Sequence, residues 1–232
     1  MRDDWHHYIQ FELTCLGSQA DGSVVPQNMK HCLIVHYSQS GQVSEIAKAV
    51  VSPLSDDFQL HFEELRPKNP YPFPWTGMSF FQAFPESVGE IPCELEPFRF
   101  DPGITYDLII LAYPVWYLSP AIPITSFLIS EECKKVLAGT PVVTVLGVRN
   151  MWIMAQERVK ARIQSAGGRL VGNIMLEDPH SNLVSVITIV RWMTTAKKHG
   201  SGLYGQLFPP AGVPDERISG SKVYGESIRD TF

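Results

Sequence analysis

The chain has 232 residues, 44% of them hydrophobic and 19% charged, which suits one domain with sizeable loops and excludes global disorder. Its net charge of −5 comes from 24 acidic and 19 basic side chains; Lys134-Lys135 and Lys197-Lys198 are isolated pairs, so no basic groove for nucleic acid is expected. Four cysteines without a CxxC pair read as reduced thiols, no leader-like run opens the chain, and the apolar run at 183–190 is too short to span a bilayer, so the expectation is a soluble, cytoplasmic protein.

Residues 1–28 are polar and aperiodic, and Met29 runs straight into a strand-like segment. They read either as a native extension or as the product of an upstream start. Residues 32–37, Cys-Leu-Ile-Val-His-Tyr, form an apolar run of the kind covered on both faces of a sheet. Val43, Ile46, Ala47 and Val50 then fall at helical spacing. Phe58, Leu60 and Phe62 alternate with Gln59, His61 and Glu63, which predicts an edge strand with a wetter face. Residues 108–112, 142–146 and 170–176 predict three more strands. A helix carrying Trp152, Val159 and Ile163 precedes the last of them and ends at Gly167-Gly168, as a left-handed cap would.

Strands alternating with helices predict an α/β fold with a parallel sheet. Five such strands match the doubly wound order 2-1-3-4-5, in which ligands bind where the order reverses. A long connection at 67–105, after the second strand, holds Pro70-Tyr71-Pro72-Phe73-Pro74-Trp75 and Phe80-Phe81-Gln82-Ala83-Phe84. It is too aromatic for a linker and must pack on something. A cover over the ligand crevice, a substrate wall and a homodimer contact are its three candidate roles, with Trp75, Phe80 and Phe81 as the lining residues. The tail from 183 reads as one amphipathic helix, to about residue 198, and a Gly/Pro-rich stretch. The organisation is therefore 1–28 as an extension, 29–182 as the main domain, and 183–232 packed on it.

Three loops carry the chemistry. After the first strand come Ser38, Gln39, Ser40, Gly41, Gln42 and Val43. A phosphate placed there meets backbone N–H groups, a helix amino end and two hydroxyls, and Gly41 lets the backbone approach. An ordinary Ser/Gly turn capping a helix is the plain alternative. The loop resembles the flavodoxin phosphate loop at Ser38, Ser40 and Gly41. It departs at Val43, where a hydroxyl is usual, so backbone amides and Gln42 are expected to compensate. After the third strand, Pro114, Val115, Trp116 and Tyr117 resemble the flavin-flanking loop of the same proteins, with an aromatic wall and exposed backbone. Pro120, Pro123 and Phe127 continue that resemblance. Core packing of Trp116 and Tyr117 is the alternative. After the fourth strand, Gly147, Arg149, Asn150 and Met151 form the third side, with Arg149 and Asn150 as donors to flavin carbonyls or substrate. For Asn150 a helix cap is the alternative.

The resemblance to flavodoxin-like NAD(P)H-dependent oxidoreductases spans about residues 30–180. It implies FMN as cofactor, NAD(P)H as reductant and a small-molecule redox substrate. Phe73-Pro74-Trp75, Pro114-Val115-Trp116 and 149–152 resemble one branch, some members of which accompany ketosynthases in dialkylresorcinol biosynthesis and would aromatise a cyclohexanedione. The alternatives are a flavodoxin-type one-electron carrier and a non-catalytic FMN-binding protein; the weak net charge disfavours a carrier steered by its field. Gly200-Ser201-Gly202-Leu203-Tyr204-Gly205 satisfies GxGxxG, but follows a helical pattern, and Pro209-Pro210 should block a helix there; it is set aside. Seven histidines contain no HExxH, and no metal is expected. His36 reads as a core residue. His180 reads as a loop residue near the crevice, with a proton-donor role as the less favoured alternative. No side chain is assigned as catalytic, because in flavoenzymes the cofactor performs the hydride chemistry.

Overall fold

Residues 29–232 are described by a computed structural model of the protein; the expectations for 1–28, and for Cys15, lie outside the described residues. The central sheet contains β1 (Lys30–His36), β2 (Phe58–Glu64), β3 (Leu108–Trp116), β5 (Pro141–Val148) and β6 (Arg169–Glu177), all parallel, in the order β2-β1-β3-β5-β6. These five are the expected strands in the expected order. A sixth strand of two residues, β4 (Ser119–Pro120), pairs antiparallel with the end of β3 and was not expected.

Strand periodicity divides the core. Leu33, Val35, Ile109 and Leu111 pack with Phe127, Val136, Val159 and Ile163 on one side. On that side lie α3 (Ile122–Leu128), α4 (Glu131–Leu137) and α5 (Ile153–Ser165). Cys32, Ile34, Ile110 and Val143 pack on the other side with Val43, Ile46 and Val50 of α1 (Gln42–Val51). Ile218 of α8 (Asp215–Gly220) and Ile228 of α9 (Lys222–Thr231) complete that layer. Gly167 adopts φ 84°, the left-handed turn expected after the α5 pattern.

Three expectations are corrected. The tail holds α6 (Asn182–Thr195) and three further short helices: α7 (Gly202–Leu207), α8 and α9. The first of these occupies the GxGxxG segment that Pro209-Pro210 was expected to keep unwound; the prolines only end it. At the edge strand, the alternation inverts near its carboxyl end, where Phe62 is 45% exposed and Glu63 is buried. The inversion has a cause: the Glu63 carboxylate accepts the backbone N–H groups of Arg99 (2.6 Å) and Phe100 (3.0 Å), so the long connection covers that face. A carboxylate can be buried when hydrogen bonds replace its water. His36 is buried edge-on to Phe62, as a core residue.

Inside the 67–105 connection, residues 77–88 form α2 (Gly77–Val88), started by a capping box between Thr76 and Ser79. Glu90, just past it, forms ion pairs with Arg158 (3.1 Å) and Arg162 of α5. The connection is thereby fixed to α5 just past α2.

Candidate active site

The strand order reverses between β1 and β3, and there the carboxyl ends of β1, β3 and β5 open into a cavity of about 360 Å³. That volume lies within the range of small-molecule sites. The three loops singled out in the sequence meet in it. Ser38, Gln39, Ser40, Gln42 and Val43 line it from the first loop. Pro114, Val115 and Trp116 line it from the end of β3, and Tyr117 from the turn beyond. The strand continues to Trp116 where a loop was expected, because Pro114 stays in register with Gly147 of β5. Gly147 lies in β5 itself, and Arg149, Asn150 and Met151 follow that strand. Gly41 is not itself a lining residue; it stands beside the cavity as the left-handed N-cap of α1, at φ 88°.

Each loop has a local reason for its shape. The Ser38 hydroxyl accepts the Val43 N–H (3.1 Å), so Ser38 satisfies a first-turn donor of α1, as the capping alternative expected. The expectation that Gln42 replaces the missing hydroxyl at position 43 is corrected. Its amide is engaged by the tail: Nε2 donates to the Val213 carbonyl (3.1 Å) and Oε1 accepts the Val213 N–H (3.2 Å). Gln39 is similarly committed, donating to the Pro72 carbonyl (2.8 Å) and accepting the Trp75 indole N–H (2.8 Å). The first loop is thus bonded to the long connection.

The second loop is a hairpin with Tyr117 (φ 48°) and Leu118 (φ 68°) at its turn. Two positive φ values are those of a primed turn, which normally takes Asn-Gly. Bulky residues there carry strain of about 1–3 kcal/mol each, sustained only where packing fixes them. Packing does so here. The Tyr117 hydroxyl donates to the Phe80 carbonyl (2.5 Å), and its ring lies 4.9 Å from those of Phe80 and Phe84. Burial pushes the Tyr117 phenol up to about 12, so it is a neutral donor near pH 7. Below the turn, Ser87 donates to the Trp116 carbonyl (3.0 Å) and Arg158 to the Ser119 hydroxyl (2.6 Å).

Trp75 is 4% exposed and joins the wall. Its ring meets Trp116 edge-on at 5.5 Å and Phe80 at 6.0 Å, and its backbone N–H donates to the Met193 carbonyl (2.7 Å). Trp75 and Phe80 line the cavity as expected. Phe81 does not: it is 70% exposed. Asn150 does not cap α5, and its amide instead donates to the Asn182 side chain at the start of α6. His180 is outside the lining and uses its backbone N–H on the Asp178 carboxylate (3.0 Å).

The sequence reading missed Phe73, Leu118 and Val148, the α6 residues Ile189, Trp192 and Met193, and Gly212 of the tail. Ile189, Trp192 and Met193 fall at i, i+3 and i+4, a helical signal that was present. Gly212 had none: it lies at φ 75°, and a Cβ there would sit 2.8 Å from both Gln42 Oε1 and Trp192 Cζ3.

Among the described residues Arg149 is the one charged side chain lining the cavity, and its Nε is buried without a hydrogen-bond partner. The rest of the lining is hydroxyl, amide, aromatic and aliphatic. Such a surface fits a flat ring with a polar edge and an anionic end.

No protein-family model matches the chain, and no curated protein matches it. Solved structures do. A flavoprotein from Lactobacillus acidophilus NCFM, crystallised in complex with FMN, is 19% identical with a TM-score of 0.52, over 63% of this chain and 93% of that one. A protein of Bacteroides eggerthii assigned as a flavoprotein is 15% identical with a TM-score of 0.51, over 63% of this chain and 87% of that one. At these identities the similarity concerns the fold, and together with the strand order it shows that the chain has a flavodoxin-like α/β fold.

Proposed function

We propose that this chain binds FMN in the crevice and acts as an oxidoreductase. It would exchange a hydride between NAD(P)H and a small, flat acceptor of the quinone or cyclic-dione kind. The observation that carries the reading is the convergence of three separate loops on one aromatic-walled cavity at the switch point of a flavodoxin-like sheet.

The residues present fit the cofactor. Apart from the Val43 N–H, which Ser38 accepts, the amino end of α1 offers its first-turn N–H groups to a phosphate. Ser38 and Ser40 add hydroxyls, and nothing lies within 4 Å of where a Gly41 Cβ would be. Among the described residues there is one such loop and no second dinucleotide unit, which favours FMN over FAD. Trp116 and Tyr117 would hold the ring faces, while the backbone at the carboxyl end of β3 and Arg149 would meet its polar edge. Bound FMN would supply the hydride and electron chemistry.

The chain's own part is positional. Trp75, Phe80 and Trp116 exclude water from the reacting face, which strengthens the remaining polar contacts. This enclosure favours an enzyme over a carrier, whose flavin edge stays open. The same reading includes a homodimer in the cytoplasm. Helix α6 buries Ser185 and Thr188 and turns Leu183, Val186, Ile187 and Val190 outward, the reverse of a helix completed by its own fold.

The test is a visible spectrum of the FMN-loaded protein under anaerobic conditions, before and after addition of NADH or NADPH. Bleaching of the flavin bands, restored by a quinone, is the expected result. Bound FMN that neither nucleotide reduces would remove NAD(P)H from the account.

A further inference from the structure

Arg149 follows the end of β5 and forms none of the ion pairs found among the described residues. Its Nε is buried and unpartnered, and the other lining side chains are neutral. A guanidinium offers five donors and no acceptor, with a permanent charge. In an apolar-walled crevice of low local dielectric, that charge interacts strongly with any anion brought against it.

FMN brings two negative groups: its phosphate, and the N1–C2 carbonyl edge once the ring is reduced. The sheet order separates them. The phosphate loop follows β1 and Arg149 follows β5, with β3 between. Strands lie about 4.8 Å apart, so the two loops are rooted about 10 Å apart across the sheet.

We infer that Arg149 faces the pyrimidine edge of the flavin and favours the reduced anion over the oxidised ring, setting the potential at which this protein accepts a hydride. The inference rests on the FMN reading above. A reduced nicotinamide gives N5 a hydride, two electrons with one proton, and leaves as the oxidised pyridinium. The flavin thereby gains one negative charge, shared by N1 and the C2 carbonyl oxygen, and a fixed positive charge at that edge stabilises this product selectively. Binding and potential are linked: a residue that prefers the reduced form raises the midpoint potential by the ratio of the two affinities.

The experiment measures dissociation constants for oxidised FMN and for dithionite-reduced FMN, together with the two-electron midpoint potential. Wild type, Arg149→Gln and Arg149→Lys are compared, and thermal unfolding of each unloaded protein monitors the fold. The expected result for Arg149→Gln is about tenfold weaker binding of reduced FMN with little change for oxidised FMN. A tenfold change in that ratio lowers a two-electron potential by about 30 mV. Arg149→Lys should recover most of the shift, because the charge is what counts. Equal weakening of both forms, with the potential unmoved, would overturn the inference and place the arginine on the phosphate. Unchanged affinities and potential in Arg149→Gln would overturn it too. Wild-type protein that binds no oxidised FMN would instead refute the cofactor reading itself, and the inference with it.

Discussion

Gly41→Val should weaken FMN binding well over tenfold, and Ser38→Ala should weaken it much less. Gly41 lies at φ 88° and ψ −24°. An L-residue in the left-handed region costs about 1–2 kcal/mol, and a β-branched one is the worst placed. No protein atom lies within 4 Å of the new Cβ, so the damage arises from backbone conformation and from the Cβ in the path of the phosphate. Ser38→Ala removes the oxygen that accepts the Val43 N–H at 3.1 Å. Losing a cap of that kind costs about 0.5–2 kcal/mol. Gly41→Asn separates the two causes, because Asn tolerates the left-handed region yet keeps a Cβ. It should fold nearly as well as wild type and still bind FMN poorly. Flavin titration of the three variants checks the order, and Ser38→Ala as the weakest binder would show that the phosphate lies elsewhere.

Trp75→Ala should be among the most destabilising single changes, and should separate cofactor binding from turnover. The side chain is 4% exposed, packs against Trp116, Phe80 and Tyr71, and donates to Gln39 at 2.8 Å. Truncating a buried aromatic costs about 3–5 kcal/mol, and here it also leaves Gln39 Oε1 without its donor. Denaturant unfolding should show the loss. The phosphate loop keeps its own backbone, so FMN still loads, while turnover with a quinone falls because the substrate wall has gone. Trp75→Phe retains the wall and should keep most of the turnover. Normal quinone turnover in Trp75→Ala would mean that the long connection does not shape the substrate site.

The five strands were legible because a parallel sheet buried on both faces writes apolar runs into the chain, and residues 32–37, 108–112 and 142–146 are such runs. The loops followed from the strands, since a doubly wound sheet has one switch point. What stayed hidden depends on contacts distant in sequence. The Gln42–Val213 pair spans 171 residues, and no local pattern joins them. Gly225 reads as a weak helix position, yet α9 crosses α1 so closely that a Cβ there would sit 1.9 Å from the Val50 carbonyl oxygen. The first turns of α6 bury polar residues, because Asp178 is buried and accepts the Ser185 hydroxyl at 2.6 Å, which breaks the amphipathic reading there. Glu63 inverts the edge strand for the same reason: a buried carboxylate is satisfied by donors from a distant segment.

The central claim is that the crevice at the ends of β1, β3 and β5 is a flavin mononucleotide site, and equilibrium titration of the unloaded protein with FMN tests it most directly. Trp75 and Trp116 beside the ring should quench flavin fluorescence, giving a saturable curve with one FMN per chain. The affinity should be micromolar or tighter, about −8 kcal/mol or better. Gly41→Val should move the curve well over tenfold towards weaker binding, and FAD should bind more weakly. An unsaturable response to FMN, or tighter binding of FAD than of FMN, would contradict the account.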